Sequence, residues 1–147
     1  MSSDLVFRVV EFGSPEYVET VALRDDILRR PLGLHFTPEL LGEEAHDIHL
    51  ACYRNDDLAG CLILVPLADG DIKMRQVAVA ADAQRTGVGS ALVKESERIA
   101  FERGFARMVL NARLTAVPFY LRLGYLAVGE EFLEVTIPHH AMEKHLP

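Results

Sequence analysis

Between Gln84 and Ser90 the chain reads Gln-Arg-Thr-Gly-Val-Gly-Ser, and the chemistry this arrangement invites is the binding of an anion. The preceding stretch, Met74 to Val79, mixes β-branched and small apolar residues in the manner of a buried strand. From Val88 the apolar residues recur with helical spacing, through Ala91, Leu92, Ile99 and Ala100, up to a stop at Gly104. A strand therefore feeds a helix through Gly-x-Gly. The first turn of a helix leaves N–H groups without intrahelical partners, at the partly positive end of the aligned peptide dipoles. Glycine at positions 87 and 89 removes the Cβ atoms that would hold a phosphate away from those amides. Taken alone, Gly-x-Gly equally suits an ordinary junction in which the glycines serve tight packing.

Two phosphate-binding patterns are excluded. A dinucleotide fingerprint needs a third glycine where Leu92 stands, and a P-loop needs Lys-Ser/Thr where Ser90 and Ala91 follow Gly89. No metal site is expected either. His139 and His140 are adjacent instead of one helical turn apart, and Cys52 and Cys61 lack the spacing of a zinc site or redox pair. The two cysteines flank a hairpin turn expected at Asn55-Asp56-Asp57, which would let them face each other across it. In a reducing compartment they are expected as small buried apolar residues and not as a disulfide.

Gln84-Arg85-Thr86-Gly87-Val88-Gly89 resembles the Gln/Arg-x-x-Gly-x-Gly/Ala signature of the GNAT superfamily of acyl-CoA-dependent N-acyltransferases. One helix and one strand later, Ala116-x-x-Phe119-Tyr120-x-x-x-Gly124-Tyr125 is similar to that superfamily's second signature. These two matches span Val77 to Tyr125. The end of the chain, Phe132-x-Glu134-x-x-Ile137-Pro138-His139-x-x-Met142, resembles a pattern of small bacterial members, with Thr136 in place of a glycine.

The resemblance implies an α/β (α+β) fold with a mixed, mostly antiparallel central sheet flanked by helices, whose central strands Met74–Val79 and Arg107–Asn111 splay apart. It implies acetyl-CoA (coenzyme A) as cofactor. The pantetheine arm would lie along the backbone edge of Val77, Ala78 and Val79. The pyrophosphate would sit on the loop Gln84, Arg85, Thr86, Gly87, Val88, Gly89 and Ser90, held by the amides from Arg85 onward. Asn111 is a candidate polar contact to the cofactor; as a strand-end residue it also fits a purely structural role.

Amide formation from a thioester needs a neutral amine, a stabilised oxyanion and a protonated leaving thiol. An alkyl ammonium is neutral in only about one molecule in 10³ at pH 7, a penalty of roughly 4 kcal/mol, so a base or a water chain helps. A backbone N–H of Val77–Val79 can hold the oxyanion. The resemblance makes Tyr120 the candidate proton donor to the thiolate; the structural alternative is a buried aromatic with a satisfied hydroxyl. Glu134 and His139 are the candidate bases from the terminal pattern, and His49 begins a strand expected to border the cleft. The implied function is an N-acetyltransferase moving an acetyl or other short acyl group from acyl-CoA to a primary amine on a small molecule or peptide. The alternative is a non-catalytic acyl-CoA-binding regulatory module of the same fold, which turnover would distinguish.

The elements needed to position these residues are legible. The 147 residues are half hydrophobic and a quarter charged, enough for one domain over 1–147 with a proper core, and the resemblance implies that this is an N-acetyltransferase domain. A net charge of -7 argues against a nucleic-acid partner. No apolar run reaches the length of a membrane span and no signal peptide opens the chain, so no membrane is expected and the location is cytoplasmic. The oligomeric state is open, a homodimer included. Leu5 to Phe12 reads as a strand. Ser14 then caps a helix that turns Tyr17 and Val18 inward and ends over Arg29–Gly33. The segment to Asp47 reads as a loop with a short helix. Strands follow at Ile48 to Arg54, Leu58 to Pro66 and Met74 to Val79. After the long helix come a strand at Arg107–Asn111 and a short helix through Leu123, capped by Thr115 and stopped by Gly124. Strands at Tyr125–Val128 and Leu133–Ile137 precede a last strand or short helix near Met142.

Overall fold

The computed structural model describes residues 4–147. Among these residues the strands are β1 (Leu5–Val10), β2 (Ile48–Arg54), β3 (Asp57–Pro66), β4 (Asp71–Val79), β5 (Arg107–Arg113), β6 (Leu126–Glu134) and β7 (Ile137–His145). They form one sheet in the order β1-β2-β3-β4-β5-β7-β6. The ladders β1–β2, β2–β3, β5–β7 and β6–β7 are antiparallel, and β4–β5 is parallel. The α-helices are α1 (Pro15–Arg24), α2 (Pro38–Gly42), α3 (Val88–Glu102) and α4 (Val117–Arg122). This is the mixed, mostly antiparallel sheet flanked by helices that the sequence led us to expect. The chain forms two compact units, Met1–Val65 with Gln76–Ser96 and Pro66–Arg75 with Glu97–Pro147. The division falls inside β4 and inside α3.

In the first unit, helices cover both faces of β2 and β3. Directly paired residues of antiparallel strands share a face, so Ala51 and Cys61 point one way and Cys52 and Gly60 the other. The Ala51 face receives α1: Tyr17 packs with Val10, Ala51 and Tyr53, and the Cys61 thiol meets the Thr20 carbonyl. The opposite face receives α3. A Cβ on Gly60 would lie 2.6 Å from Leu92 Cδ1, 3.2 Å from Val88 Cγ1 and 3.1 Å from the Ala78 carbonyl. Glycine there permits a close approach of helix to strand. The same alternation corrects the reading of the cysteines. Cys52 and Cys61 do not face each other; they project to opposite faces, both free and buried. Burial pushes their thiols up to about 11 and about 12.

The Ser14 hydroxyl caps α1 by accepting the Tyr17 N–H at 3.1 Å, with Pro15 in the first turn. Tyr17, Thr20 and Arg24 form the buried stripe, spaced three and four residues apart. Val18 lies 100° around the helix from Tyr17 and is 60 % exposed, so the inward position expected for it is wrong. After Arg24 the winding loosens into a π turn over Asp25–Arg29 and then tightens into a 3₁₀ turn at Arg30–Leu32. Gly33, at φ +72°, closes it where the sequence placed the stop. β1 ends at Val10, and Phe12 instead packs against Tyr17 with ring centroids 4.8 Å apart.

In the second unit the parallel ladder runs from Asp71↔Arg107 to Met74↔Leu110. Arg107 joins three strands through Asp71 (2.6 Å) and Glu143 (3.1 Å). The Asp71 carboxyl is held below its usual range, first by its hydrogen bond to Arg107. Thr115 does not cap α4. It lies in a 3₁₀ turn, Leu114–Ala116, and Ala116 occupies the cap without a side-chain bond. Pro118 is tolerated in the first turn, and Gly124 ends the helix at φ +95°. The strand expected over Leu133–Ile137 is broken by a two-residue turn: Glu134 pairs with Ile137, and Val135 and Thr136 stand at φ +52° and +61°. The last element, β7, is a strand.

Candidate active site

In the first unit the polar turn ahead of α3 is braced by its own side chains. The Gln84 amide donates to the Val79 carbonyl at 3.1 Å. The Thr86 hydroxyl donates to the Ala83 carbonyl and accepts from Arg54 at 3.4 Å. Arg85 and Gly87 adopt φ +65° and +90°, which coil the loop tightly before the helix. A Cβ on Gly87 would meet no heavy atom within 4 Å, so the demand for glycine there is conformational and the space above the loop is open. Val88 is fully buried and anchors the first turn. The first intrahelical bond joins the Ala91 N–H to the Gly87 carbonyl at 3.0 Å, which leaves the amides of Val88, Gly89 and Ser90 without intrahelical partners. The chemistry of this donor set suits a phosphate.

The end of β4 carries the other backbone candidates, Val77, Ala78 and Val79. Just before them Gln76 stands at φ +54°, a left-handed residue inside a strand. Its side-chain oxygen accepts from Arg24 Nη1 at 2.8 Å. Arg24, 1 % exposed, also pairs with Glu44 through Nη2 (2.5 Å) and Nη1 (3.0 Å). The Tyr17 hydroxyl donates to the same carboxylate at 2.6 Å. Burial alone would raise the Glu44 carboxyl, but the hydrogen bonds from Arg24 and Tyr17 and the positive charge of Arg24 outweigh it, so Glu44 is held below its usual range. Burial, then the bond to Glu44, raises the Tyr17 phenol. Sequence reasoning missed Arg24, Glu44 and Gln76. The available signal was an arginine seven residues after Tyr17 on the buried stripe of α1.

His49 belongs to this cluster, with one ring nitrogen engaged and Nδ1 left as the acceptor. Its ring is edge-on to Tyr17 at 5.0 Å, and Nε2 meets the Glu44 carbonyl at 2.8 Å, which commits that nitrogen as a donor.

In the second unit Tyr120 is buried on α4, its ring edge-on to Phe119 (5.0 Å) and Tyr125 (5.6 Å). The two tyrosines differ at their hydroxyls. That of Tyr125 donates to Glu97 at 2.8 Å, while that of Tyr120 has no hydrogen-bond partner among the described residues. The Tyr120 hydroxyl is not a sealed, unsatisfied group either, so the difference separates an anchoring tyrosine from one whose hydroxyl is accessible to a ligand. Burial pushes the Tyr120 phenol up to about 12, which keeps it neutral and able to donate throughout the physiological range.

Asn111, Glu134 and His139 do come together. Asn111 Nδ2 donates to Glu134 Oε1 at 3.2 Å, and His139 Nε2 lies 3.8 Å from Glu134 Oε2. His139 Nδ1 meets the Ile137 carbonyl at 2.7 Å, so it carries the proton and leaves Nε2 as the acceptor of the neutral ring. Phe132 stacks on the His139 ring at 6.0 Å, and the hairpin between β6 and β7 thus delivers Glu134 and His139 side by side. Among the described residues no group of three His, Cys, Asp or Glu is placed to hold a metal, and no helix is long and apolar enough to cross a membrane.

Comparison with known proteins bears on this arrangement. Residues 35–146 match the family of the acetyltransferase (GNAT) domain. The uncharacterized N-acetyltransferase YjcF of Bacillus subtilis is 38 % identical over 79 residues, covering 53 % of this chain and 56 % of that protein. The chain thus spans about half the length of the curated relatives it matches. An acyl-CoA N-acyltransferase structure from Pseudomonas aeruginosa superposes with TM-score 0.81 at 22 % identity, covering 95 % of this chain and 99 % of that one. A GNAT family acetyltransferase from Elizabethkingia anophelis, solved with acetyl-CoA bound, superposes with TM-score 0.76 at 16 % identity, covering 99 % and 100 %. The two structural likenesses establish the fold, and the domain match over most of the length establishes the family: this chain belongs to the GNAT acetyltransferases.

Proposed function

We propose that the protein is a single-domain cytoplasmic N-acetyltransferase that moves an acetyl or other short acyl group from acyl-CoA to a primary amine. The observation that carries this reading is the braced loop Gln84–Ser90, whose first-turn amides at Val88, Gly89 and Ser90 stand without intrahelical partners beneath an open glycine. Such donors suit the pyrophosphate of the nucleotide. Acetyl-CoA, when bound, supplies an activated acyl group as a thioester. The backbone of Val77–Val79 holds the pantetheine arm, and one of its N–H groups meets the negative charge that develops on the carbonyl.

Tyr120 donates a hydrogen bond to the departing sulfur. With its phenol at about 12 and a free thiol near 8.5, complete transfer is uphill by about 5 kcal/mol unless the desolvated thiolate is also raised. The role is therefore that of a donor that stabilises the leaving group and passes on a proton only as solvent replaces it. Glu134 accepts from the amine directly or through water, with Asn111 orienting one carboxylate oxygen and His139 Nε2 beside the other.

Thiol release from acetyl-CoA, measured across a panel of small-molecule and peptide amines, tests the reading. Acetyl-CoA alone should raise the melting temperature of the wild type, and Gly89→Val, which sets a branched side chain over the first-turn amides, should abolish that rise. An equal rise in both proteins would remove the phosphate loop from the argument. A rise without thiol release from any amine would leave a binding module instead of an enzyme.

A further inference from the structure

Gln76 is an unlikely residue for the backbone it occupies. A left-handed glutamine inside a strand is strained, and such strain persists only where the surroundings over-determine it. The ladder from β4 to β5 has its last pair at Met74↔Leu110, two residues before Gln76, and Val77–Val79 follow directly after it. The direction in which those three residues present their N–H and C=O groups depends on the kink.

What holds the kink is Arg24. Its guanidinium can only donate, so the oxygen of the Gln76 amide must face it. The guanidinium itself cannot swing away. Glu44 grips it through both oxygens, Tyr17 locks that carboxylate, and the rings of Phe36 and Tyr17 lie over it at 4.9 and 5.9 Å. Its Nε is buried without a partner, a cost accepted for this one orientation. The chain of contacts runs from α1 through Arg24 to the strand, across residues 52 apart in sequence.

We propose that Arg24 is a positioning residue, which by donating to the Gln76 side chain fixes the kink in β4 and so aims the backbone of Val77–Val79 for acyl transfer. This rests on the function proposed above, in which that backbone receives the thioester.

Gln76→Met tests it, because it keeps the length of the side chain, removes the acceptor and leaves the Arg24–Glu44 pair intact. Amide hydrogen exchange at Val77–Val79 in the ligand-free protein should quicken at least ten-fold, while Gln76→Glu, which keeps an oxygen of the same reach, should restore the wild-type rate. In acyl transfer, Gln76→Met should lower kcat at least ten-fold and leave KM for acetyl-CoA within about three-fold, since the loop amides are untouched. Wild-type exchange in Gln76→Met, exchange in Gln76→Glu as fast as in Gln76→Met, or an unchanged kcat would each overturn the proposal. A wild-type protein that neither binds acetyl-CoA nor releases thiol overturns the functional reading instead, and the exchange measurement, which needs no ligand, then decides the role of Arg24 in holding the kink.

Discussion

Replacing Glu44 by Gln removes the carboxylate from a guanidinium that has no other ion-pair partner among the described residues. The Arg24 side chain is 1 % exposed and that of Glu44 9 %, so water cannot take over the 2.5 and 3.0 Å bonds. Breaking a buried pair from one side costs about 3–5 kcal/mol because the surviving charge is left uncompensated. Glutamine keeps one oxygen as an acceptor, which places Glu44→Gln near 3 kcal/mol, at the low end of that range. For 147 residues the entropy of unfolding is roughly 0.3 kcal/mol per degree, so the melting temperature should fall by about 10 °C. The effect has a pH dependence of definite sign. The folded carboxyl titrates below its ordinary range, so its contribution is complete above the unfolded value of about 4.3 and is lost as the pH falls through the lower folded value. Urea denaturation of both proteins at neutral pH, near pH 5 and near pH 3 measures this directly. The gap between wild type and Glu44→Gln should be constant at the two higher values and narrow at the lowest. A gap under about 1 kcal/mol at neutral pH, or one that persists unchanged into acid, would refute the description of the pair as a buried, charged anchor.

Tyr120→Phe should slow acyl transfer by about 10²–10³, the range for losing one preorganised donor, while leaving acetyl-CoA affinity and melting temperature unchanged, because the hydroxyl has no hydrogen-bond partner to lose among the described residues; turnover at the wild-type rate with chemistry limiting would make it structural. Tyr125→Phe is the contrasting case, since it loses the bond to Glu97 and should cost about 1.5–3 kcal/mol in denaturation. Thr136→Gly should stabilise, because a branched residue at φ +61° is strained by about 1–2 kcal/mol and glycine returns about half of that as chain entropy; the expected gain is about 3 °C in melting temperature, and a loss would contradict it. Gly60→Ala should cost about 1–3 kcal/mol, since its Cβ would meet Leu92, Val88 and the Ala78 carbonyl; a variant as stable as wild type would show that this contact yields.

Much of this protein is written locally. The Ser14 cap, the stops at Gly33, Gly104 and Gly124, the turn at Asn55-Asp56 and the loop Gln84–Ser90 follow from backbone sterics and from orphan amides at helix ends. Those are properties of a few consecutive residues, and so the sequence alone determined the phosphate-loop candidate and most element boundaries. It could not determine partners. Period-two alternation says that Cys52 and Cys61 lie on a strand pair, but only the register Ala51↔Cys61 puts them on opposite faces. A β-branched pair such as Val135-Thr136 has no local preference for a positive-φ turn, and pairing of β6 with β7 imposes one. Thr115 could cap a helix, yet the chain leaving β5 enters a 3₁₀ turn before α4 begins. The buried charges are the clearest case. Arg24, Glu44 and Gln76 are ordinary surface residue types when read singly, and they become an anchor only when tertiary packing excludes water around them and leaves them, with Tyr17, to satisfy one another's hydrogen bonds.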